Sequence, residues 1–227
     1  MDKITLISHI NLFDELPMKE IEVLDNMSTM QPVKKGTVII SPIKPIKALF
    51  LLKKGQVRLY RVNAQGKQFT TDILVDGNLF GETTSFSISD NEMYVEAMTD
   101  TYLCTMAKDE FETFIEKNPQ IALKLINILT SRLKDTYDLS ERIALGDVKY
   151  RVLYLLVRLS ERSGKRKNEW QTIEMRLTHN DIATMVGSTR ETVSSIISQL
   201  RKDGLLKKGL LYYSIDADQV KEKLELT

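Results

Sequence analysis

The chain has 227 residues, of which 42% are hydrophobic and 28% charged, a balance that is ordinary for a globular protein and sufficient for two modest domains. Its net charge of +1 is uneven, because residues 149–227 hold 15 Lys and Arg against 10 Asp and Glu, whereas residues 1–148 hold 17 against 21. A basic C-terminal third favours a polyanionic partner, and the single cysteine excludes an intrachain disulfide or a thiolate cage for zinc or an iron–sulfur cluster.

The N-terminus and the apolar runs indicate where the protein works. Residues 1–3 do not begin the basic-then-apolar layout of an export signal, and apolar runs such as residues 48–52 are far shorter than the ~20 residues of a spanning helix. We therefore expect a cytoplasmic protein with no membrane partner. His9 and His179 are isolated and predict no metal site, and Cys104 lies in an apolar stretch that predicts a buried core residue.

The N-terminal half has the pattern of a small antiparallel domain. Residues 15–29 are predicted to form a helix whose inner side carries Leu16, Ile21, Leu24 and Met27. From about residue 30 to 107, runs rich in Val, Ile, Leu, Phe and Thr are separated by glycine turns, and residues 56–62 alternate as a half-buried strand does. Such spacing is typical of an antiparallel β-roll rather than a parallel sheet. We predict a roll domain with flanking helices over residues 1–118.

A long helix follows, because residues 119–145 lack glycine and any further proline after Pro119. Its apolar positions recur at steps of four and three, which is the spacing of a coiled-coil seam. The predicted dimer seam consists of Ala122, Ile126, Leu129, Leu133, Thr136, Ser140 and Ile143. A second stripe of Ile121, Leu125 and Ile128 lies beside it. A helix with two apolar faces contacts its own roll and a partner helix, although an amphipathic helix packed within a monomer remains an alternative.

The C-terminal part begins at a hinge. Gly146 ends the long helix, and Asp147 is a suitable N-cap for an amphipathic helix over residues 148–162. Residues 163–168 then read as a basic polar loop. We predict the dimerisation helix to span residues 119–146 and a second domain to span residues 147–227.

Residues 178–203 carry the strongest functional pattern, two short helices joined by a sharp turn at Gly187. Thr178 with Asp181 predicts the cap of the first helix, and Ser188 with Glu191 predicts a capping box for the second. The second helix should bury its i, i+3, i+4 and i+7 positions, which are Val193, Ile196, Ile197 and Leu200. Its other face is short and polar, as a recognition helix requires if its backbone is to approach bases.

Base and backbone contacts to DNA can be assigned from this face. Arg190 can donate two hydrogen bonds to guanine and Glu191 can accept one from cytosine, while Ser194 and Ser195 complete the predicted base readout. Capping would occupy the Glu191 carboxylate and is the competing role for that residue. Residues 205–214 read as a hairpin wing with basic residues at its tip. The predicted phosphate contacts are Thr178, Thr189, Lys207 and Lys208.

Two motifs together resemble a known family. Residues 187–193, with the sequence Gly-Ser-Thr-Arg-Glu-Thr-Val, resemble the recognition-helix signature of the CRP/FNR family of bacterial regulators, and residues 76–82 resemble the roll motif that opens its effector cassette. The resemblance implies an α+β protein with an antiparallel, cyclic-nucleotide-binding-like roll, a long dimerisation helix and a winged helix-turn-helix. It also implies a homodimer on a two-fold symmetric, TGTGA-like operator, with RNA polymerase as a partner. The cyclic-AMP receptors of the family carry an Arg where this sequence has Ser195, which should weaken discrimination at that base pair.

The resemblance also allows the effector to be considered. In the cyclic-nucleotide binders, Gly-Glu holds the ribose and an Arg followed by Ser or Thr grips the phosphate about ten residues later. Gly81 and Glu82 are present, but residues 89–94 contain no Arg and two acids, which argues against cyclic AMP. A pocket for another small molecule is predicted at Gly81, Glu82, Thr83, Thr136 and Tyr137. The last two can equally serve dimer packing, and a haem sensor remains open; no cofactor is assigned.

Two other classes of protein compete with a DNA-binding regulator. In the first, the roll is a receptor domain and the C-terminus is a protein-interaction surface; the basic wing and the Arg190 helix disfavour it. The second is an enzyme, but the sequence shows no nucleophile–base pair, metal cluster or phosphate-cradling glycine loop. We therefore expect a DNA-binding protein without enzymatic activity.

Overall fold

A computed structural model describes residues 12–13, 16–44, 46, 48–82 and 92–225. The side chains of residues 139, 142, 143, 145, 163, 164 and 225 lie outside this description. Contacts between Cα atoms divide the chain into two compact units, residues 1–132 and 133–227. The boundary falls inside a helix, so each unit is described by itself.

The first unit contains the predicted β-roll. Its strands are β1 (Ser28–Val33), β2 (Val38–Ile40), β3 (Leu49–Lys54), β4 (Gln56–Val62), β5 (Gln68–Val75), β6 (Leu79–Gly81), β7 (Tyr94–Ala97) and β8 (Thr101–Met106). They pair antiparallel in two four-stranded sheets, with the orders β1-β8-β3-β6 and β2-β7-β4-β5. A core drawn from both sheets includes Leu52, Leu59, Leu74, Val95 and Leu103. The antiparallel roll predicted from the glycine spacing is confirmed.

Strand alternation positions the inner and outer faces of the roll. Val57 and Leu59 on β4 are buried in the core, while the side chain of Arg58 points to the other face and donates to Glu96 Oε2 at 2.8 Å. The turn before β4 requires glycine, because Gly55 has φ +112° and a Cβ there would lie 2.6 Å from the Thr101 hydroxyl. The alternation predicted for residues 56–62 therefore places Val57 and Leu59 on the core side of β4 and Arg58 on the opposite side.

Helices pack against one sheet of the roll. They are α1 (Met18–Met27) and α2 (Lys108–Lys117), together with the start of α3 (Pro119–Leu145). Their buried residues join β3 and β8 in a second core that includes Ile21, Leu24, Phe111, Phe114, Ile121 and Leu125. Cys104 is fully buried there, so its predicted core role is confirmed. The long helix begins at Pro119, as predicted, and ends at Leu145, one residue before the predicted end.

The two faces of α3 have different surroundings. Ile121 and Leu125 are buried, and Ile128 and Leu129 pack in part against the same core. Another stripe is exposed to solvent, with exposed fractions of 65% for Leu123, 56% for Ile126, 50% for Leu133 and 64% for Tyr137. We call these four residues the α3 stripe. Ile143 of the predicted seam has a side chain outside the described residues.

The second unit is built on α4 (Val148–Ser163). Asp147 caps it, since its Oδ1 accepts from the Tyr150 backbone N–H at 2.7 Å, as predicted. The unit also contains the strands β9 (Gly164–Lys167), β10 (Trp170–Ile173), β11 (Leu206–Lys208) and β12 (Tyr213–Asp216). They form a four-stranded sheet with the order β11-β12-β10-β9. The remaining helices are α5 (His179–Val186), α6 (Arg190–Lys202) and α7 (Ala217–Glu225).

The loop predicted over residues 163–168 is wrong. The basic segment over residues 163–168 is not a loop, because residues 164–167 form β9 and pair antiparallel with β10. The reversal is made at Asn168, which has a positive φ of 56° that asparagine tolerates. Arg166 forms an ion pair with Asp218 on α7, so part of the basic charge is used within the domain.

Candidate nucleic-acid interface

The first helix of the helix-turn-helix, α5, begins at a complete capping box. The Thr178 hydroxyl accepts from the Asp181 backbone N–H at 3.1 Å, and Asp181 Oδ2 accepts from the Thr178 backbone N–H at 2.7 Å. The cap predicted from these two residues is confirmed. Because the Thr178 hydroxyl also donates to Asp181 Oδ2 at 2.7 Å, the side chain is held by its own helix.

The turn to the next helix is set by Gly187. This residue is left-handed, with φ +66° and ψ +44°, and the Ser188 backbone N–H donates to the Ala183 carbonyl at 2.9 Å. A left-handed residue at the end of a helix favours glycine, which has no Cβ to clash with the backbone. The sharp turn predicted at this position is therefore confirmed.

The capping box predicted for α6 is wrong. Thr189, not Ser188, is the N-cap: its Oγ1 accepts from the Thr192 backbone N–H at 3.2 Å and lies 2.9 Å from the Thr192 hydroxyl. The helix thus begins one residue later than expected, and Glu191 takes the second helical position rather than the third. A reciprocal box needs the carboxylate at the third position, so Glu191 is not used for capping. The Thr-x-x-Thr spacing was the sequence signal for this cap.

The outer face of α6 presents short polar side chains to solvent. Arg190, Glu191, Ser195 and Ser198 are exposed and Ser194 is half-buried. The inner face buries Val193, Ile197 and Leu200, as predicted, while Ile196 is only half-buried. Arg190 carries five donors in a planar fork and Glu191 accepts only, so together they can read a base pair's donor–acceptor pattern.

The predicted wing is present. Its lysines were expected at the tip, but they do not lie there. Lys207 and Lys208 lie on β11, opposite Ser214 and Tyr213 of β12. The Lys207 ammonium sits 3.7 Å from the centre of the Trp170 ring, a cation–π contact with a residue far away in sequence. The tip itself is the turn Gly209–Tyr212, closed by the Gly209 N–H donating to the Tyr212 carbonyl at 2.9 Å.

His179 is a member of this surface that sequence reasoning missed. It is the first residue of α5 and is half-buried. Burial lowers the pKa of its imidazole, and the positive charges of Lys208 and Arg190 lower that pKa further. The first turns of α5 and α6 and the wing therefore share one positive region. Because the histidine is isolated in the sequence, no pattern indicated that it belongs to this region.

The predicted effector residues lie on different elements of the fold. Gly81 ends β6 with φ +103°, and a Cβ there would lie 2.2 Å from the Ala48 carbonyl oxygen. Glu82 follows it, its backbone N–H donating to the same carbonyl at 3.0 Å. Thr83 lies outside the described residues. Thr136 and Tyr137 are exposed on the part of α3 that belongs to the second unit. The pocket stays a prediction.

In the described part of the chain, no helix combines the length and the apolar character that crossing a membrane requires. No group of three or more His, Cys, Asp or Glu residues in that part could hold a metal ion.

Comparison with known proteins agrees with this architecture. A cyclic nucleotide-binding domain model matches residues 30–118, and a Crp-like helix-turn-helix domain model matches residues 150–220. The two matches cover well over half of the chain. They correspond to the roll and to the domain that carries α5, α6 and the wing.

Individual relatives extend over both domains. A global nitrogen regulator of Nostoc sp. is 27% identical over 78% of this chain and 80% of its own length, and a cyclic AMP receptor protein of Thermus thermophilus is 28% identical over 71% and 72%. The crystal structure of a CRP/FNR-family transcriptional regulator from Thermus thermophilus is 26% identical, with a TM-score of 0.61 over 87% of this chain and 98% of that one. The chain belongs to the CRP/FNR family of DNA-binding transcription regulators.

Proposed function

We propose that this protein binds a two-fold symmetric, TGTGA-like operator as a homodimer and thereby controls transcription. The observation that carries the proposal is the outer face of α6, which is polar, exposed and led by Arg190 and Glu191. Thr189 fixes the start of the helix without using either side chain. Both are therefore available to base edges in the major groove.

Each predicted contact takes a role in this proposal. Arg190 donates to guanine and Glu191 accepts from cytosine, with Ser194 and Ser195 beside them. Ser195 is too short for a bidentate contact, so the base pair opposite it is read weakly. The phosphates are contacted by Lys208, Lys207, Thr178 and Thr189. The two threonines act through their hydroxyls and equally through the backbone N–H groups at the N-termini of their helices.

The α3 stripe supports the homodimer. Its members follow the steps 3, 7 and 4, so they occupy a and d positions of one heptad register, and Thr130 fills the missing position. Two copies of α3 packed along this stripe would bury side chains that are half or more exposed in one chain. A two-fold pair also presents two α6 helices to the two halves of a palindromic site.

We propose that cyclic AMP is not the effector. The roll matches a cyclic nucleotide-binding domain, and one relative is named a cyclic AMP receptor protein. However, this chain has no Arg or Lys between Glu82 and Lys108 to meet a cyclic phosphate, and Glu92 lies 3.9 Å from Arg61 in an exposed ion pair. A different small molecule at Gly81 and Glu82 of the roll fits the proposal, as does a protein that acts without one.

RNA polymerase is the protein partner that this function requires. A regulator bound to an operator changes transcription by helping or hindering polymerase at the same promoter. The proposal therefore places the protein in the cytoplasm, where a bacterium keeps its DNA.

Site selection from a random duplex library tests the proposal. The full chain is compared with Arg190→Ala and with Arg201→Ala, which removes the same charge from the exposed far end of the same helix. We expect the unchanged chain and Arg201→Ala to select the same palindrome. Arg190→Ala should lose the preference for guanine, with operator affinity falling about 5- to 150-fold per half-site, the range of one bidentate contact.

Two results would contradict the proposal. If Arg190→Ala selected the same palindrome with unchanged affinity, the assigned readout would be wrong. If millimolar cyclic AMP raised the affinity of the unchanged chain for its selected site, the effector assignment would be wrong.

A further inference from the structure

The tip of the wing carries apolar side chains. The turn Gly209–Tyr212 has Leu210 and Leu211 at its two central positions, and these are 98% and 48% exposed. Leu210 is the most exposed of the large hydrophobic side chains in the described part of the chain. Because it is not buried, the Leu210 side chain contributes no hydrophobic stabilisation to the free domain.

Two leucines are unusual residues for the centre of such a turn. Central positions of tight hairpin turns are occupied mainly by Gly, Asn, Asp, Pro and Ser, which favour the backbone conformation or bond to it. Two adjacent leucines have neither property. Where a sequence breaks a local rule without a gain in the fold, a functional role is the expected reason.

The surroundings of the tip indicate what it contacts. Lys207 and Lys208 lie at the base of the turn on β11, and β11 packs against α6. The wing therefore leaves the domain beside the recognition helix. A partner that suits this arrangement offers apolar walls and is negative on both sides. The minor groove has this character, because its walls are deoxyribose carbons and hydrogens and two rows of phosphates flank it.

We propose that Leu210, backed by Leu211, inserts into the minor groove beside the major groove that α6 occupies, and contributes to operator preference there. This inference rests on the proposed function. An apolar wedge packs against deoxyribose and base edges and favours steps that open easily. The guanine 2-amino group projects into the minor groove, so the wedge should prefer A·T over G·C pairs under the wing.

The test uses the full chain and an operator selected as described above. Variants Leu210→Ser and Leu210→Met are compared with Ile43→Ser, a control that removes an 89% exposed apolar side chain from the roll. Operators carry A·T, G·C or inosine·C pairs under the wing, since inosine lacks the 2-amino group. Affinity is measured against salt concentration, and DNA bending by energy transfer between end labels. Melting temperatures check that the exposed substitutions leave folding unchanged.

The wedge predicts a specific set of results. Leu210→Ser should bind about tenfold more weakly, as the loss of one buried leucine implies, and should lose the preference for A·T and inosine·C over G·C. Leu210→Met and Ile43→Ser should behave like the unchanged chain. The slope of log affinity against log salt should stay the same in Leu210→Ser, because no phosphate contact is removed.

Other results would overturn the inference. Unchanged affinity, groove preference and bending in Leu210→Ser would mean that the tip does not touch DNA; a loss of transcription with unchanged DNA binding would instead assign it to a protein partner. A reduced salt slope would indicate a phosphate contact. If the unchanged chain selects no operator at all, the proposed function fails, and this outcome is distinct from a failure of the wedge.

Discussion

The α3 stripe allows the proposed dimer interface to be tested residue by residue. The heptad read from the sequence includes Leu129, whereas the structure packs Leu129 partly against the roll and exposes Leu123 instead. Both registers contain Ile126 and Leu133. We therefore predict that Leu123→Asp and Leu133→Asp each give folded monomers, and that Leu129→Ala mainly lowers the thermal stability of the roll.

The magnitude follows from the exposed fractions. Complete burial of a leucine contributes about 1.5–3 kcal/mol, so a side chain that is half exposed has about 1 kcal/mol still to gain. Four such residues in each of two chains contribute roughly 8 kcal/mol from burial of this stripe. Placing two carboxylates in this seam removes about 2 kcal/mol of burial and adds their desolvation, which should dissociate the dimer at micromolar concentration.

Sedimentation velocity at about 1 and about 50 µM measures the outcome directly, because the dimer fraction depends on the concentration of the protomer. Ser131→Asp is the matched control, since it adds the same charge at an exposed position of α3 outside the stripe. The control should sediment like the unchanged chain. If Leu123→Asp and Leu133→Asp both remain dimers at the lower concentration, the stripe is not the interface and the reasoning fails.

Two further predictions concern the helix-turn-helix. Thr189→Ala should lower the free energy of unfolding by about 1 kcal/mol because it removes the N-cap of α6, whereas Ser188→Ala should change it little; urea denaturation distinguishes the two. DNA affinity should rise as the pH falls through about 6.5, the ordinary pKa of histidine. The pKa of His179 lies below that value in the free protein, and a nearby phosphate would raise it, so binding takes up a proton. His179→Gln should abolish this pH dependence in fluorescence anisotropy titrations between about pH 5.5 and 7.5, and an unaltered pH dependence would exclude His179 as its source.

Features set by neighbouring residues could be predicted from the sequence. Local patterns predicted the roll, the long helix α3, the cap at Thr178 and the turn at Gly187. These patterns are periodicity, the placement of proline and glycine, and a hydroxyl three residues before a carboxylate. The cap of α6 was mistaken because Ser188 and Thr189 are adjacent and both are good caps. Only the hydrogen bond to Thr192 separates them.

Features that depend on distant partners could not be predicted. The basic run in β9 is a strand because β10 pairs with it and β12, which follows much later in the chain, supports β10. Lys207 is held by Trp170 through a contact that no local pattern indicates. The exposure of Leu123 was not predicted for the same reason, since which side of an apolar helix remains exposed depends on how the roll packs against it.

The positive region formed by His179, Arg190 and Lys208 explains why the site favours a polyanion. Burial of the His179 imidazole opposes its protonation and lowers its pKa, and the neighbouring charges of Lys208 and Arg190 lower that pKa further. A phosphate placed among these groups would attract each cation and favour protonation of His179. Because Arg190 lies at the start of α6, electrostatic attraction of DNA to this surface would also bring the proposed base-reading end of the helix to the major groove.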